Sequence, residues 1–503
     1  MINLTIVRVD ARRGMKRFPE TPEYTGLNTP IGEEYEIGSL EVEGRVPRDV
    51  EGTLFRAVPD PAFPPFVEDG GAILSGDGMV SALRFADGSA SFSIRYVQTR
   101  RHEAEVAAGR ALFGKYRNPF TDQPEVRGVD RAVANTTPVW HAGRLLMTKE
   151  DGRPYRVDPH SLETLGRYDF DGRLRSETMT AHVRVDPDTG EMFFFGYEAD
   201  GLASTKVAYC VADRHGELQR EQWFDAPYCA LMHDFVVTQH YALFPVYPTT
   251  CDAARVRAGG DHWVHEINRD SWVGVMPRYG NVSDLRWFRG PRGASCFHIM
   301  NAFEDADGRI QFDQCLANVN VFPFIQRASG LNVPPAESGA RLARWTIDLE
   351  DGSEAVTETV IGPPGELPMI PAVSHGRPYD HAWMLTMNPD MRGPPVLGGP
   401  AGVMFNTLLR LDFTGKPPQA LALPQGWCLS EPAHVPSSTA GHEGWLITVV
   451  DQQTGPADFR HSVWIVDAGN VGAGPVAKIA IPHRLRPQVH GWWASAAELA
   501  AAQ

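Results

Sequence analysis

The chain lacks a long hydrophobic run: no apolar segment approaches the roughly 20 residues that a transmembrane helix needs. Its first residues carry charges inside a short apolar stretch and have no A-x-A cleavage motif, so they do not predict a signal peptide. We therefore expect no stable insertion into a membrane.

Cysteine is scarce, with six residues in 503 and no CxxC pair. This number is too small for a disulfide scaffold and predicts reduced thiols in a cytoplasmic protein. Cys296 lies two residues before His298 and is a conceivable ligand, but a buried thiol is the commoner role for such a residue.

Basic residues are outnumbered: 47 Lys and Arg stand against 62 Asp and Glu, and the formal net charge is −15. Nucleic acids and anionic membrane surfaces bind to basic patches, so neither is a predicted partner. The simplest consequence of the charge is solubility.

The chain also lacks a Ser/Gly linker, a charge run that would divide it, and a WD or kelch repeat. Hairpin signals recur instead, as in SALRFADGSASFSIRY, where alternating apolar residues flank Asp87-Gly88. We expect one large β domain over residues 21–503, preceded by a partly disordered extension over residues 1–20.

Two segments have helical composition and one predicts a loop. RHEAEVAAGRALFGKY is the clearest helix, and the tail ASAAELAAAQ is a second candidate. The stretch from Met391 to Met404 is rich in Pro and Gly and predicts an irregular loop.

Four of the 17 histidines occur beside runs of β-type residues, in the contexts TAHVRVD, LMHDFVVT, CFHIMNAFE and VHGWW. These are His182, His233, His298 and His490. Their spacing has no local ligand pattern, and a hydrogen-bonded core imidazole is the commoner role of a single histidine. The contexts together indicate a metal site, because four neutral imidazoles suit a first-row metal.

These contexts, with EGTLFRAVPDP, SGDGM and SEPAHVP, resemble the carotenoid cleavage oxygenase family from about Glu51 to Trp493. GKYRNPFTDQPEV, VANT, LMTKEDGRPY and FGYEADG are most similar to its lignostilbene dioxygenase and isoeugenol oxygenase branch. The resemblance implies an all-β fold, a seven-bladed β-propeller with a loop-and-helix dome over the active-site face. It also implies a non-haem Fe(II) held by the four histidines.

The resemblance implies that three carboxylates orient these imidazoles: Glu150, Glu366 and Glu431. Carboxylates that accept imidazole N–H protons are the usual partners of metal-bound histidines. The chain departs from the family pattern at Met369, where an arginine is usual, and this weakens the match at Glu366.

On the substrate side, the resemblance implies that Tyr116 and Lys149 hold a 4-hydroxyl group and that Thr136 lies near an open iron position. A solvated charge at Lys149 and a core aromatic at Tyr116 are the structural alternatives. Ile73 and Leu74 occupy positions where relatives tend to carry an aromatic residue that stacks on the substrate ring, so the preferred aryl alkene stays open.

The expected function is Fe(II)-dependent cleavage of the α,β double bond of 4-hydroxystilbenes or related 4-hydroxyphenyl alkenes. The partners are O₂ and a small phenolic alkene, and the products are aromatic aldehydes such as vanillin. Two alternatives are an apocarotenoid cleavage oxygenase and a non-catalytic propeller that serves as a binding platform. The number of oxygen atoms transferred stays open, and so does a homodimer.

Overall fold

The structure is a computed structural model that describes residues 4–7, 17–67, 72–320, 322, 325–327, 339–398 and 402–502.

Contacts divide the chain into two compact units. The first comprises Met1–Tyr168, Met387–Arg410 and Gln419–Gln503, and the second comprises Asp169–Thr386 and Leu411–Pro418. Whether residues 21–503 form a single domain stays a prediction.

The described residues are mainly β, as predicted. The strands, numbered along the chain, are β1 (Leu4–Val7), β2 (Glu34–Ile37), β3 (Val42–Gly44), β4 (Gly52–Pro59), β5 (Gly78–Ala86), β6 (Ser89–Tyr96), β7 (Thr137–His141), β8 (Arg144–Thr148), β9 (Tyr155–Val157), β10 (Thr164–Arg167), β11 (Arg184–Val185), β12 (Met192–Tyr197), β13 (Lys206–Ala212), β14 (Leu218–Asp225), β15 (Val236–Val237), β16 (Tyr241–Val246), β17 (Thr249–Thr250), β18 (Val264–His265), β19 (Asp270–Pro277), β20 (Arg286–Arg292), β21 (Ser295–Glu304), β22 (Ile310–Ala317), β23 (Gln326–Arg327), β24 (Arg341–Ile347), β25 (Thr357–Pro364), β26 (Glu366–Met369), β27 (His381–Thr386), β28 (Thr407–Asp412), β29 (Gln419–Ala422), β30 (Trp427–Leu429), β31 (Ala433–Val435), β32 (Trp445–Gln453), β33 (Phe459–Asp467), β34 (Pro475–Ile481) and β35 (Gly491–Ser495).

Helices are short and few in the described part of the chain. The α-helices are α1 (Ala72–Ser75), α2 (Arg100–Ala108), α3 (Ala253–Arg257) and α4 (Ala496–Ala500). Short 3-10 helices are Gly26–Asn28, Pro119–Thr121, Pro124–Val126, Val282–Asp284, Ala372–Ser374 and Val471–Ala473. Among these helices, none is long and apolar enough to cross a membrane.

The first unit contains three antiparallel sheets. Their strand orders are β1-β2-β6-β5-β4-β35, β10-β9-β8-β7 and β3-β34-β33-β32-β30, with β31 also paired to β32. Thr407–Arg410 of β28 pairs with β29 in the same unit. Strand β35, near the carboxyl terminus, therefore completes the sheet that the amino-terminal strands begin, and this pairing positions the residue just before it, His490.

The second unit contains three four-stranded antiparallel sheets, β11-β12-β13-β14, β15-β16-β19-β20 and β21-β22-β24-β25. It also contains the small sheet β17-β18-β23 and the antiparallel pair β26–β27. Every residue of β12 and β22 is buried, whereas β14 has two buried residues and β25 has none. Strands that are covered on both faces have nearly continuous apolar sequences. The sequence MFFFGY of β12 is such a run, and β12 is an inner strand of its sheet.

The buried strand β22 carries a charged residue that is paired with a neighbouring strand. Asp313 on β22 is fully buried, and both of its oxygens accept hydrogen bonds at 2.7 Å from the Arg344 guanidinium on the neighbouring strand β24. The Tyr379 hydroxyl also donates to Asp313. A buried carboxylate without such donors would lose its hydration without compensation.

The turn, helices and loop that the sequence predicts can be compared with the structure. Asp87 and Gly88 both have positive φ, 50° and 74°, which is the turn that a two-residue hairpin requires. The predicted helix is confirmed only in part: α2 ends at Ala108 because Gly109 adopts a left-handed conformation, and residues 110–116 are not helical. The tail helix is confirmed as α4, and the described residues from Met391 to Met404 form no regular element.

The predicted amino-terminal extension lies mostly outside the described residues. Within it, Leu4–Val7 forms strand β1, which pairs with β2 in antiparallel register from Leu4↔Ile37 to Val7↔Glu34.

Candidate metal centre and substrate-side residues

Three of the four predicted ligands come together in the second unit. His182 precedes β11, His233 precedes β15, and His298 lies within β21. One ring nitrogen from each lies within 4.8 Å of the others. The three rings are steeply inclined to one another, at 70–73°, so they converge on a point and do not stack.

One of these contacts joins the Nε2 atoms of His182 and His233, which lie 2.9 Å apart. Two facing imidazole nitrogens can share one proton or one cation, but two protons between them would repel. A cluster of converging imidazole nitrogens is the donor set of a first-row metal such as iron or zinc, so the residues fit the implied group.

Asp234 ties the histidine-bearing segments together, and the sequence analysis missed it. Its Oδ1 accepts from the Arg184 guanidinium at 2.7 Å, and its Oδ2 accepts from the backbone N–H of Ile299 at 3.0 Å. Its side chain is buried. Asp234 follows His233, Arg184 lies two residues after His182, and Ile299 follows His298, so one carboxylate fixes the spacing of all three ligands.

A second link joins two of the histidines through Thr180. The Thr180 hydroxyl accepts from the backbone N–H of His182 at 3.0 Å and contacts the carbonyl of His233 at 3.4 Å. The ring of Phe297 stacks on the His233 imidazole with centroids 3.6 Å apart. The ring of His233 is therefore held on its face as well as by its backbone.

Glu366 contacts His298, as the sequence analysis expected despite Met369. The His298 Nδ1–H donates to Glu366 Oε2 at 2.6 Å, and the same oxygen accepts from the N–H of Leu367 at 2.7 Å. Because Nδ1 carries the proton, the lone pair of the His298 ring is on Nε2. Leu367 has a φ of 53°, an unusual left-handed conformation for a non-glycine residue, and it aims this N–H at the carboxylate.

The first unit repeats the arrangement with His490 and Glu431. The His490 Nδ1–H donates to Glu431 Oε1 at 2.9 Å, and Gly491 N–H donates to Oε2 at 3.2 Å. The tautomer of His490 is again the one that leaves the lone pair on Nε2.

The guanidinium of Arg56, on strand β4, binds backbone carbonyls in both segments that carry this pair. Its guanidinium donates to the carbonyl of Glu431 at 2.6 Å and to the carbonyl of Val489 at 3.0 Å. Burial lowers the pKa of Arg56 to about 10, with opposing contributions from Glu431 and Asp451. Arg56 lies in the motif EGTLFRAV, but nothing local in that motif indicates partners more than 370 residues away.

Thr136, expected near an open metal position, lies beside His490 in the first unit. The Thr136 carbonyl accepts from the His490 backbone N–H at 3.2 Å, and the Thr136 hydroxyl donates to Asn135 Oδ1 at 3.1 Å. The residue is buried.

Lys149 and Tyr116 are also brought together in the first unit. Lys149 follows β8 and is only 3% exposed, and its Nζ lies 5.2 Å from the centroid of the Tyr116 ring. The alternative of a solvated charge at Lys149 is therefore excluded. Burial, with the charges of Asp151 and Glu150, raises the pKa of the Tyr116 hydroxyl well above its usual value, so this phenol stays neutral.

Acidic residues surround this pair. Glu150 is buried, and its carbonyl lies 3.5 Å from the Arg117 guanidinium. Burial raises the pKa of Asp151, an effect that the nearby positive charges of Lys149 and Arg117 oppose. Lys149 and Arg117 therefore lie in a buried cluster with the acidic residues Glu150 and Asp151.

Two remaining expectations concern single residues. Leu74 lies in α1 and is partly buried, and the side chain of Ile73 falls outside the described residues. Cys296 donates to the carbonyl of His298 at 3.4 Å, and burial raises the pKa of its thiol, so it acts as a structural thiol.

The comparisons with known proteins agree with this geometry. Residues 28–495 match the family model of the retinal pigment epithelial membrane protein, RPE65. The chain belongs to the RPE65 and carotenoid cleavage oxygenase family. Its members are metal-dependent oxygenases, so the chain is an oxygenase and an oxidoreductase.

Two similar curated relatives lie in one branch. Lignostilbene-alpha,beta-dioxygenase isozyme III of Sphingomonas paucimobilis is 39% identical over 492 residues, covering 96% of this chain and 99% of the relative. Isoeugenol monooxygenase of Pseudomonas putida is 39% identical over 490 residues, covering 94% and 98%.

A solved structure extends the similarity to the fold. The crystal structure of Pseudomonas brassicacearum lignostilbene dioxygenase is 36% identical and has a TM-score of 0.88, covering 95% of this chain and 99% of that one. The fold of this oxygenase is accordingly the seven-bladed β-propeller, and the prediction of fold class is confirmed.

The role of Asp234 yields a first prediction. Asp234→Asn removes the charge that pairs with Arg184, and hydrogen bonds to charged groups contribute about 1.5–3 kcal/mol. We expect the free energy of unfolding to fall by about that amount and metal retention to weaken. The control is Asp307→Asn, because Asp307 is exposed and its ion pair with Arg309 is worth about 0–1 kcal/mol. Equal stability of the two variants in thermal unfolding would show that Asp234 does not tie the segments together.

Proposed function

We propose that this oxygenase uses Fe(II) to cleave the α,β double bond of 4-hydroxystilbenes or related 4-hydroxyphenyl alkenes, giving aromatic aldehydes such as vanillin. The observation that carries the proposal is the buried Lys149 beside the ring of Tyr116. A positive side-chain charge that lies out of water stabilises a nearby phenolate over the neutral phenol.

We propose that His182, His233, His298 and His490 hold the iron and that Glu150, Glu366 and Glu431 orient the imidazoles. Two observations support this assignment: three of the rings converge within the second unit, and His298 and His490 each donate an Nδ1–H to a carboxylate. When bound, Fe(II) supplies the redox chemistry that activates O₂. Neutral imidazoles leave the charge of the metal uncompensated, and this favours an electron-rich substrate nearby.

Lys149 and Tyr116 act on the hydroxyl group of the substrate. The neutral Tyr116 hydroxyl donates a hydrogen bond to the substrate oxygen, and the Lys149 ammonium stabilises the phenolate over the phenol. A free phenol titrates near pH ~10, and an adjacent positive charge lowers that value. These two side chains thereby hold the substrate at its polar end and favour loss of its proton.

Ionisation of the phenol prepares the alkene for oxidation. Electron density from the phenolate oxygen delocalises through the ring into the conjugated double bond, and this makes the alkene carbons more reactive toward activated O₂. Cleavage of the bond gives two carbonyl products. Thr136, buried beside His490, limits the space at the metal.

The cellular setting of this proposal is the cytoplasm, and residues 21–503 act as a single oxygenase domain. All six cysteines are free thiols, which supports a reducing compartment. A homodimer stays a prediction.

The substrate assignment is tested on enzyme and substrate together. Lys149→Met removes the ammonium and nearly preserves the apolar stem, so the loss of a hydrogen bond to a charged group should lower kcat/KM for a phenolic alkene by roughly 10–150-fold. The 4-O-methyl ether of the same alkene cannot ionise, so the parent enzyme should cleave it poorly. The variant should cleave the ether no worse than the parent does.

The matched control is Lys206→Met, because Lys206 is exposed and paired with Asp225 at 2.7 Å. It should leave the kinetics of both substrates unchanged. If Lys149→Met and 4-O-methylation of the substrate change kcat/KM independently, their coupling energy is near zero. That result, or brisk cleavage of the ether by the parent, would reject phenol activation and favour an apocarotenoid substrate.

The metal assignment predicts a loss of iron when the orienting carboxylates lose their charge. Glu366→Gln and Glu431→Gln should each weaken iron affinity by roughly 10–100-fold, measured by equilibrium dialysis and metal analysis. Glu217→Gln is the control, because Glu217 is exposed and pairs only with Arg173, at 3.2 Å, among its described ion pairs. Iron affinity equal to that of the control would mean that these carboxylates only satisfy structural imidazoles.

A further inference from the structure

A second cluster of metal-type donors lies in the second unit, outside the histidine site. It contains Cys229, Cys251 and Glu198, and one donor atom from each lies within 4.8 Å of the others. Cys229 and Glu198 are buried, and Cys251 is partly exposed. The established oxygenase chemistry does not use any of these residues.

The backbone fixes the two thiols opposite each other. Ala230 and Thr250 form an antiparallel bridge, and the Cys251 N–H donates to the Cys229 carbonyl at 3.2 Å. Directly opposed residues of antiparallel segments have Cα atoms about 5.5 Å apart when they are hydrogen bonded. The two Sγ atoms therefore approach one another through secondary structure and not through flexible side chains.

The third donor, Glu198, is equally constrained. It follows strand β12 with a φ of 50°, a left-handed conformation that non-glycine residues seldom adopt. Its Oε2 lies 3.0 Å from His262 Nε2, and its Oε1 accepts from the N–H of Ala203. His262 is itself almost fully buried, so a carboxylate and an imidazole face each other beside the two thiols.

The chemistry of this donor set favours a soft divalent cation. Thiolate sulfur, carboxylate oxygen and imidazole nitrogen are the ligands of Zn²⁺, and two thiolates disfavour Mg²⁺ and Ca²⁺. Metal binding removes the protons of thiol ligands, so Cys229 and Cys251 supply thiolates once the cation is bound. Two thiolates and a carboxylate carry three negative charges, and a divalent cation offsets two of them.

We propose that Cys229, Cys251 and Glu198 bind a Zn²⁺-class cation, with His262 as the positioning residue that orients Glu198. In most metal sites a carboxylate orients a metal-bound histidine. Here the carboxylate is the proposed ligand, and the imidazole orients it. Cys229 lies four residues before His233, so the bound cation cross-links the segment that leads to the histidine site.

The test is a titration of the full-length, reduced protein with Co²⁺, which replaces Zn²⁺ and reports sulfur ligation through a thiolate-to-cobalt absorption band. We expect this band to saturate at about one cobalt per chain, to be abolished by added Zn²⁺, and to accompany a rise in melting temperature. Cobalt at the histidine site has nitrogen ligands and gives no sulfur band, so the two sites are distinguishable.

Three variants make the assignment specific. Cys251→Ser removes one of the two proposed thiolate ligands and should weaken the sulfur band and cobalt affinity, and His262→Asn, which keeps both thiols, should weaken cobalt affinity by roughly 10–100-fold. Cys210→Ala removes a thiol buried in β13 of the same unit and should leave the titration unchanged. His262→Asn tests the site even where Cys251→Ser does not fold.

Two outcomes would overturn the proposal. The first is a protein whose six thiols are all reduced, as counted with a thiol reagent, and which gives no sulfur band with Co²⁺. The second is a sulfur band in Cys251→Ser that has the same intensity and the same cobalt affinity as in the parent protein. A loss of two thiols in air, with no sulfur band even after reduction, would identify the pair as a reversible disulfide and not a metal site.

Discussion

The pairing of a carboxylate with the Nδ1 of an imidazole is the interaction on which the rest of the site depends. At the predicted metal ligands it joins Glu366 to His298 in the second unit and Glu431 to His490 in the first. A carboxylate that leaves water needs a donor, and an imidazole that donates through Nδ1 keeps its lone pair on Nε2. The same hydrogen bond therefore stabilises the buried acid and prepares the ring as a metal ligand.

The same reasoning explains the substrate side. Lys149 is buried among Asp151, Glu150 and the ring of Tyr116, where its charge is balanced but not fully screened by water. Desolvation keeps Tyr116 neutral, and in the proposed function this pair offers one neutral donor and one positive charge to an incoming phenol. Both functional regions rely on burial to strengthen a few electrostatic contacts.

Local chemistry was predictable from the sequence, and long-range pairing was not. The turn at Asp87-Gly88 follows from the two residues themselves, and Gly109 would have located the end of α2 if its capping role had been weighed. Asp234 and Arg56 gave no local signal, because their partners lie far along the chain. The blade count and the ligand set came from resemblance to a family, since no sequence repeat indicates them.

The most direct measurement of the central claim is product analysis by mass spectrometry. The iron-loaded protein is incubated in air with a hydroxystilbene, isoeugenol, 4-vinylguaiacol and an apocarotenal in separate reactions. The account predicts aromatic aldehydes from at least one of the three phenolic alkenes and an unchanged apocarotenal. Cleavage of the apocarotenal alone, or no cleavage of any substrate by protein that retains its iron, would contradict it.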